Sequence, residues 1–501
     1  MTPLDRRVGE QYCRVVALGA CALTLALSYF LWSHVSDDAY ISFRYIRRLL
    51  LGQGLTFNDG ERVEGFSHPL WIFLVAGSTR LTGFAIPDVA RALGLACSLS
   101  TIACLFASRR AFVLGDQIAT AAIVLLLVFP GFHVYATSGL ETPLLMLLLT
   151  AGTVASVGQR KPTTLASLSF GCAAIARPEG MLYGLLWFGN PFRAYGQLAI
   201  LIAPFVAYQV FRVTYFDTWL PNTFRAKLPG AWGAFFGWEY LGQAAAAVGW
   251  PFLLAIVFRV RGDLEDFRRV FRAAIGPILA GILFVLYAWG DWMPFSRFLA
   301  PVWPSAALVV ASWLVTLSRS MSRIPGKPEW ISALLTGLVV LSTLGAYAPQ
   351  IQRYVRNEGL DSMLMRGEDT LAVGVWLSKT VKPGSTVRTA RLGGMSYAAP
   401  ELTFWDENGL TDRAQAVWIW EGRRGGPSSS PVSTREPDVV AALLVPAKWS
   451  YTEDEALLEW LRTKYSLVST FPQGNFGEVH VWMSKGRDGQ ISSAAAPDPR
   501  R

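Results

Sequence analysis

The sequence predicts a polytopic α-helical membrane protein that ends in a small α/β domain outside the bilayer. Three observations predict it. Of 501 residues, 52% are hydrophobic and only 16% are charged, where ordinary soluble domains carry about 25% charged residues. Long apolar runs recur as far as about Gln350, separated by short loops rich in Lys, Arg and Pro. Beyond that point the apolar runs shorten, and charged residues, Pro and Gly increase. The 19 Trp and 29 Phe suit aromatic belts at membrane interfaces. The net charge of +9 sits mainly in short loops, as positive-inside bias requires, and does not point to nucleic acid. The five cysteines (Cys13, Cys21, Cys97, Cys104, Cys172) lie in or beside apolar runs, which predicts buried thiols and no structural disulfide.

In chain order, Arg6 and Arg7 precede an apolar run from Arg14 to Ser33. It is about 20 residues long, with no small-residue cleavage site after it, and reads as a retained first membrane helix with a cytoplasmic N-terminus. The loop 34–67 is then extracytoplasmic, with a short amphipathic helix over 38–51 and a turn at Phe57-Asn58-Asp59-Gly60. Further spans are expected near 90–108, 117–133, 140–157, 163–177, 179–190, 196–214, 243–258, 272–290, 298–317 and 330–348. Treating 69–83 as re-entrant or interfacial places the strongest basic loops inside and gives about 11 crossings, with the C-terminus outside. The cost is Arg80 and Arg91 on the outer side. Residues 1–348 thus form the transmembrane domain.

Residues 360–484 are expected to form the α/β domain. A helix is predicted over 369–380 and another over Leu457–Tyr465. Strands are predicted at Ser385–Ala390, Leu402–Trp405, Val439–Val445 and around His480–Trp482. Gly422 to Pro437 reads as a loop and 485–501 as a disordered tail.

The chemistry lies in the outer loops. Asp37-Asp38 follows the first span directly. Carboxylates so near hydrocarbon are costly; the pair either caps the helix that follows or acts at lipid head-group height. Glu141 precedes an apolar run, and Arg177 and Glu179 flank Pro178. Asn222, Arg225 and Lys227 form a polar, cationic group suited to a phosphate. Asp291 and Arg297 bracket bulky apolar residues, and His68 and Arg44 belong to the first loop region. Each acid or cation has a structural explanation as a helix-start charge, a local pair or an interfacial cation. Their gathering in several outer loops points to a common extracytoplasmic site.

The runs Asp37–Tyr45, Gly54–Asn58 and Glu61–Trp71 resemble the opening of the terminal arabinofuranosyltransferase B family, glycosyltransferases of GT-C type. Gly139–Pro143, Arg177–Gly180, Pro221-Asn222-Thr223 with Lys227, Gly290–Pro294 with Arg297, and Asn408–Asp412 resemble the broader RgtA/B/C/D-like group. The resemblance implies a GT-C fold and a sugar donor on a polyprenyl phosphate, such as decaprenylphosphoryl-arabinose. Transfer to a cell-envelope glycan or lipid-linked acceptor would take place on the outer face of the cytoplasmic membrane. Asp37 or Asp38 would be the catalytic base. Glu141 would match a second-loop acid, and Lys227, Arg225 and Arg297 would meet the donor phosphate. The soluble domain would bind the acceptor or cover the site. A divalent cation beside the Asp pair is left open, as is the sugar. Two rival functions remain at this point: a transporter of a lipid-linked glycan, and a non-catalytic membrane factor for flagellar or envelope assembly.

Overall fold

A computed structural model describes residues 3–188, 194–227, 240, 242–249, 265–288, 290–291, 293–322, 330–356, 366–422, 430–444, 455–473 and 477–485. The chain divides into two compact units. The first comprises Met1–Trp32, Arg91–Val210 and Pro229–Gln352; the second comprises Ser33–Ala90, Phe211–Leu228 and Arg353–Arg501.

The protein is a polytopic helical membrane protein. Among the described residues, six helices are long and apolar enough to cross a bilayer: Arg7–Phe30, Ile86–Ala111, Tyr195–Phe216, Glu265–Ala288, Ala300–Arg319 and Leu334–Arg356. The run expected near 117–133 is a broken span, Gly115–Leu127 followed by Pro130–Ala136 at 71°. Phe129 is extended and Pro130 opens the second piece, where a proline cannot continue the preceding hydrogen-bond ladder. Counting that pair as one span gives up to seven. Thr142–Ser156 and Thr164–Ala176 are shorter apolar helices. The segment Pro69–Thr82 is a helix of 14 residues, short of the roughly 20 that a bilayer core requires. Most of the run expected at 243–258 lies outside the described residues.

Packing in the first unit is tight where small residues allow it. A side chain at Gly276 would meet the Leu186 carbonyl at 2.7 Å, so only glycine lets these backbones approach so closely. Phe129 stacks on Trp303 at 4.1 Å, and the Trp303 indole donates to the Leu125 carbonyl at 3.2 Å.

The second unit is built on a five-stranded sheet in the order β2-β1-β3-β5-β4. The strands are β1 (Thr386–Thr389), β2 (Thr403–Asp406), β3 (Val439–Leu444), β4 (Tyr465–Gln473) and β5 (Gly477–Ser484). β1 runs parallel to both β2 and β3, with Val387 opposite Phe404 and Val439. β5 is antiparallel to β3 and β4. Helices Gly393–Ala398 and Arg413–Trp420 follow β1 and β2, so the loops at the carboxyl ends of these strands open the crossovers. A core of Val440, Leu461 and Tyr465, with Trp460 and Trp482 against it, supports one face. The first-loop helix, Asp37–Leu50, belongs to the same unit. Ten of its fourteen residues are buried; the amphipathic helix expected over 38–51 is present and lies in the core of this unit.

Candidate functional site

The Asp pair occupies the first turn of the Asp37–Leu50 helix, where negative charge suits the dipole. Ser36 holds the N-cap position and makes no side-chain cap bond. The buried Asp37 carboxylate turns instead to another part of the second unit. It accepts from the Thr370 hydroxyl at 2.6 Å, from Gly394 N–H at 2.9 Å and from Gly393 N–H at 3.3 Å. Two glycines are needed here. A β-carbon on Gly393 would lie 1.9 Å from the Asp37 carbonyl oxygen, and one on Gly394 would lie 2.4 Å from the Thr370 hydroxyl. Asp38 is half-buried beside it. Thr370, Gly393 and Gly394 were not singled out from the sequence; the one signal available was a double glycine directly after a strand.

Arg44, expected at the substrate, is braced against the protein's own backbone. Its guanidinium is buried and donates to the carbonyls of Phe57 at 2.9 Å, Ser396 at 2.5 Å and Leu402 at 2.9 Å. The rings of Phe57 and Phe404 lie against it. Burial pushes its pKa down to about 9, with Arg48 adding repulsion. Asn222 is likewise engaged with backbone. Its amide donates to the carbonyls of Gly409 at 2.7 Å, Leu410 at 3.0 Å and Asp412 at 3.2 Å. The Asn408–Asp412 motif is thereby a fixed turn. Asp406, at the end of β2, accepts from Asn408 N–H and Thr411 N–H, each at 2.9 Å. Burial raises the Asp406 carboxyl to about 6, against the lowering effect of those N–H groups. His68 Nε2 meets the Ser42 hydroxyl at 2.7 Å. Arg225 is half-buried, 3.5 Å from the Thr218 hydroxyl, and Lys227 is exposed.

The other predicted residues come together in the first unit. Arg177 pairs with Glu141 at 2.5 Å and with Glu179. Arg297 pairs with Asp291 at 2.6 Å. Both guanidiniums stand 5.2 Å from the Phe298 ring. All five charged side chains are nearly fully buried. Three carboxylates and two cations in such a setting demand mutual pairing, because an unpaired buried charge is strongly destabilising. The pairing of Arg177 with Glu179 is the one their spacing allowed. Beside them, Phe295 and Ser296 both take left-handed backbone, φ 56° and 50°, a strained state that persists only when the surroundings impose it. Tyr135, through Pro294 O at 2.5 Å, and Tyr347, through the Ser296 hydroxyl at 2.9 Å, supply that restraint. Trp292 lies outside the described residues. Among the described residues no group of three His, Cys, Asp or Glu side chains is placed to hold a metal ion.

The chain is 29% identical over 379 residues to a terminal β-(1→2)-arabinofuranosyltransferase of Mycobacterium tuberculosis, covering 64% of this chain and 59% of the relative. It is 31% identical over 249 residues to the enzyme of the same name from Corynebacterium glutamicum, covering 41% of this chain and 35% of that one. The matched region thus spans about three-fifths and about a third of these relatives' lengths. Among solved structures, ArnT from Cupriavidus metallidurans bound to undecaprenyl phosphate aligns with a TM-score of 0.53 at 14% identity, over 96% of this chain and 99% of that one. Its apo form aligns with the same score. No family model matches the chain. The resemblance read from the motifs is borne out in sequence, and the fold is that of ArnT, the expected GT-C type.

Proposed function

We propose that the protein is a glycosyltransferase that moves a sugar from a polyprenyl-phosphate donor to an envelope glycan on the outer face of the cytoplasmic membrane. The observation that carries this reading is a double likeness. The chain resembles arabinofuranosyltransferases in sequence and has the fold of a protein crystallised with undecaprenyl phosphate. Arabinofuranose is the favoured sugar on the same ground. The positive-inside pattern supports an extracytoplasmic site and C-terminal domain; eleven crossings would further require the two shorter apolar helices and the segments 179–190 and 243–258 to span.

Asp38 is the proposed base. Asp37 already accepts three hydrogen bonds, which suits it to hold the helix start, whereas its neighbour is more exposed. The acceptor hydroxyl oxygen attacks the anomeric carbon of the donor. The bond from that carbon to the phosphate oxygen breaks, polyprenyl phosphate leaves with the electron pair, and the hydroxyl proton passes to the Asp38 carboxylate. Lys227 and Arg225 are the proposed partners of the departing phosphate, as charge-assisted donors.

Purified protein in nanodiscs, given radiolabelled polyprenyl-phosphate arabinose and an arabinan acceptor, should form a new glycosidic linkage. Asp38→Asn should lower kcat by about 10²–10⁴-fold. Labelled glycan that crosses sealed vesicles without any new linkage would instead identify a transporter.

A further inference from the structure

The second unit carries a groove to which no role has yet been given. Its polar half is an open cleft of about 670 Å³, lined by Glu61, Arg62, Tyr215, Asp217, Arg413 and Arg435 among others. Its apolar half, about 600 Å³, is lined by Val417, Trp418, Pro431 and Glu421. Arg413 and Ala414 line both halves, so the two adjoin. Each half lies in the usual size range of a small-ligand site.

Its construction marks it as built. The residues Asp412–Ala414 lie in the connection that follows β2 and open the helix Arg413–Trp420. The wall is held from behind: Asn222 fixes the carbonyls of 409, 410 and 412. Arg413 joins two more segments by donating to the carbonyls of Phe216 at 2.7 Å and Arg62 at 3.3 Å. The Arg62 guanidinium rests 4.8 Å from the Tyr215 ring, and Asp412 pairs with Arg435 at 2.5 Å. Asp217 is held in left-handed backbone at φ 53°.

The charge content selects the ligand class. Three acids (Glu61, Asp217, Asp412) and three guanidiniums (Arg62, Arg413, Arg435) line the polar half. Acids and guanidiniums balance there, and Glu421 adds one more acid in the apolar half, so no excess of cations favours a phosphate or a uronate and the lining suits a neutral polyhydroxylated ligand. The aromatic wall at Trp418 suits the apolar C–H face of a sugar ring. We propose that this groove binds a neutral oligosaccharide; that this is the transferase's acceptor rests on the function proposed above.

The test uses the full chain in nanodiscs, with calorimetry and saturation-transfer NMR. The probes are neutral hexasaccharides of arabinofuranose, mannopyranose and glucopyranose, with a galacturonate hexasaccharide as the anionic control. At least one neutral probe should bind more tightly than the galacturonate. Arg62→Ala, at an exposed residue, should weaken it by about tenfold, the loss of a charge-assisted hydrogen bond. Trp418→Ala should weaken it comparably, with thermal melts reporting whether that variant folds. Lys464→Ala, paired with Glu436 away from the groove lining, serves as the control. The proposal is overturned if no neutral probe binds below about 1 mM, or if Arg62→Ala binds as wild type does. Binding with no sugar transfer would remove the transferase reading and leave the groove. Transfer with an unchanged hexasaccharide KM in Arg62→Ala would remove the groove and leave that reading.

Discussion

Asp406 shows how one buried side chain organises a motif. Its carboxylate holds the turn Asn408–Asp412 through two backbone N–H groups, while burial keeps its pKa at about 6 against 3.8 for an unburied carboxyl. The sign follows from linkage: below 3.8 both folded and unfolded chains hold this proton, and the contribution to stability is complete. As pH rises towards 6 the unfolded chain releases the proton first, so stability falls, by on the order of 3 kcal/mol in total. Asp406→Asn should flatten the fall between about pH 4 and 6 at the cost of one acceptor. Thermal melts of the detergent-solubilised protein across that range would check it; an undiminished slope would place the titrating group elsewhere. Residue type alone marked Asp37 and Asp38 as important, because charge beside hydrocarbon is legible in one dimension. Which of them is hydrogen-bonded was not legible, since the donors lie more than 330 positions away in sequence.

At the scale of elements, local pattern was a good guide to existence and a poor guide to surroundings. The helix predicted at 369–380 is Gly367–Thr380, and the predicted strands correspond to β1, β2, β3 and β5. β4 was missed, because Tyr465-Ser466-Leu467-Val468-Ser469 continues directly from a helix without a turn residue. The short helices Gly393–Ala398 and Arg413–Trp420 have too few residues to display a period. The Asp37–Leu50 helix carries its acids in the first turn and its arginines towards the other end, yet the carbonyls that satisfy Arg44 come from Phe57 and from residues 396 to 402. The Gly393 seat gives a sharp test at this scale. Gly393→Ala forces a β-carbon to 1.9 Å from Asp37, and should cost about 1–3 kcal/mol together with most transfer activity. Gly19→Ala, in open space on a helix, should be neutral or slightly stabilising. Equal behaviour of the two variants, in melts and in turnover, would mean that the seat has no importance.

For the molecule as a whole, the segments 33–90 and 211–228 belong to the same compact unit as the C-terminal sheet. That has a consequence for truncation. A chain ending at Arg356 would lack Thr370, Gly393 and Gly394, and with them the acceptors of Arg44 at Ser396 and Leu402. Buried charges without partners are not tolerated, so the Asp37–Leu50 helix should lose its packing. Limited trypsin digestion should then cut at Arg44 and Arg47 in the truncated protein and spare them in the full chain; protection in both would show that the helix folds without the sheet. The membrane class of this protein, the acidic and cationic character of its loops and its transferase resemblance were determined by the sequence alone, whereas the number of its spans was not. Hydropathy, charge and short motifs are properties of neighbours along the chain. The tertiary structure decided the rest: that Asp37 is seated on a glycine pair, that Arg44 and Asn222 brace the protein's own backbone, and that a groove opens along the helix that follows β2. Those outcomes depend on which distant carbonyls and N–H groups meet a buried side chain, and chain-local pattern carries no record of such meetings.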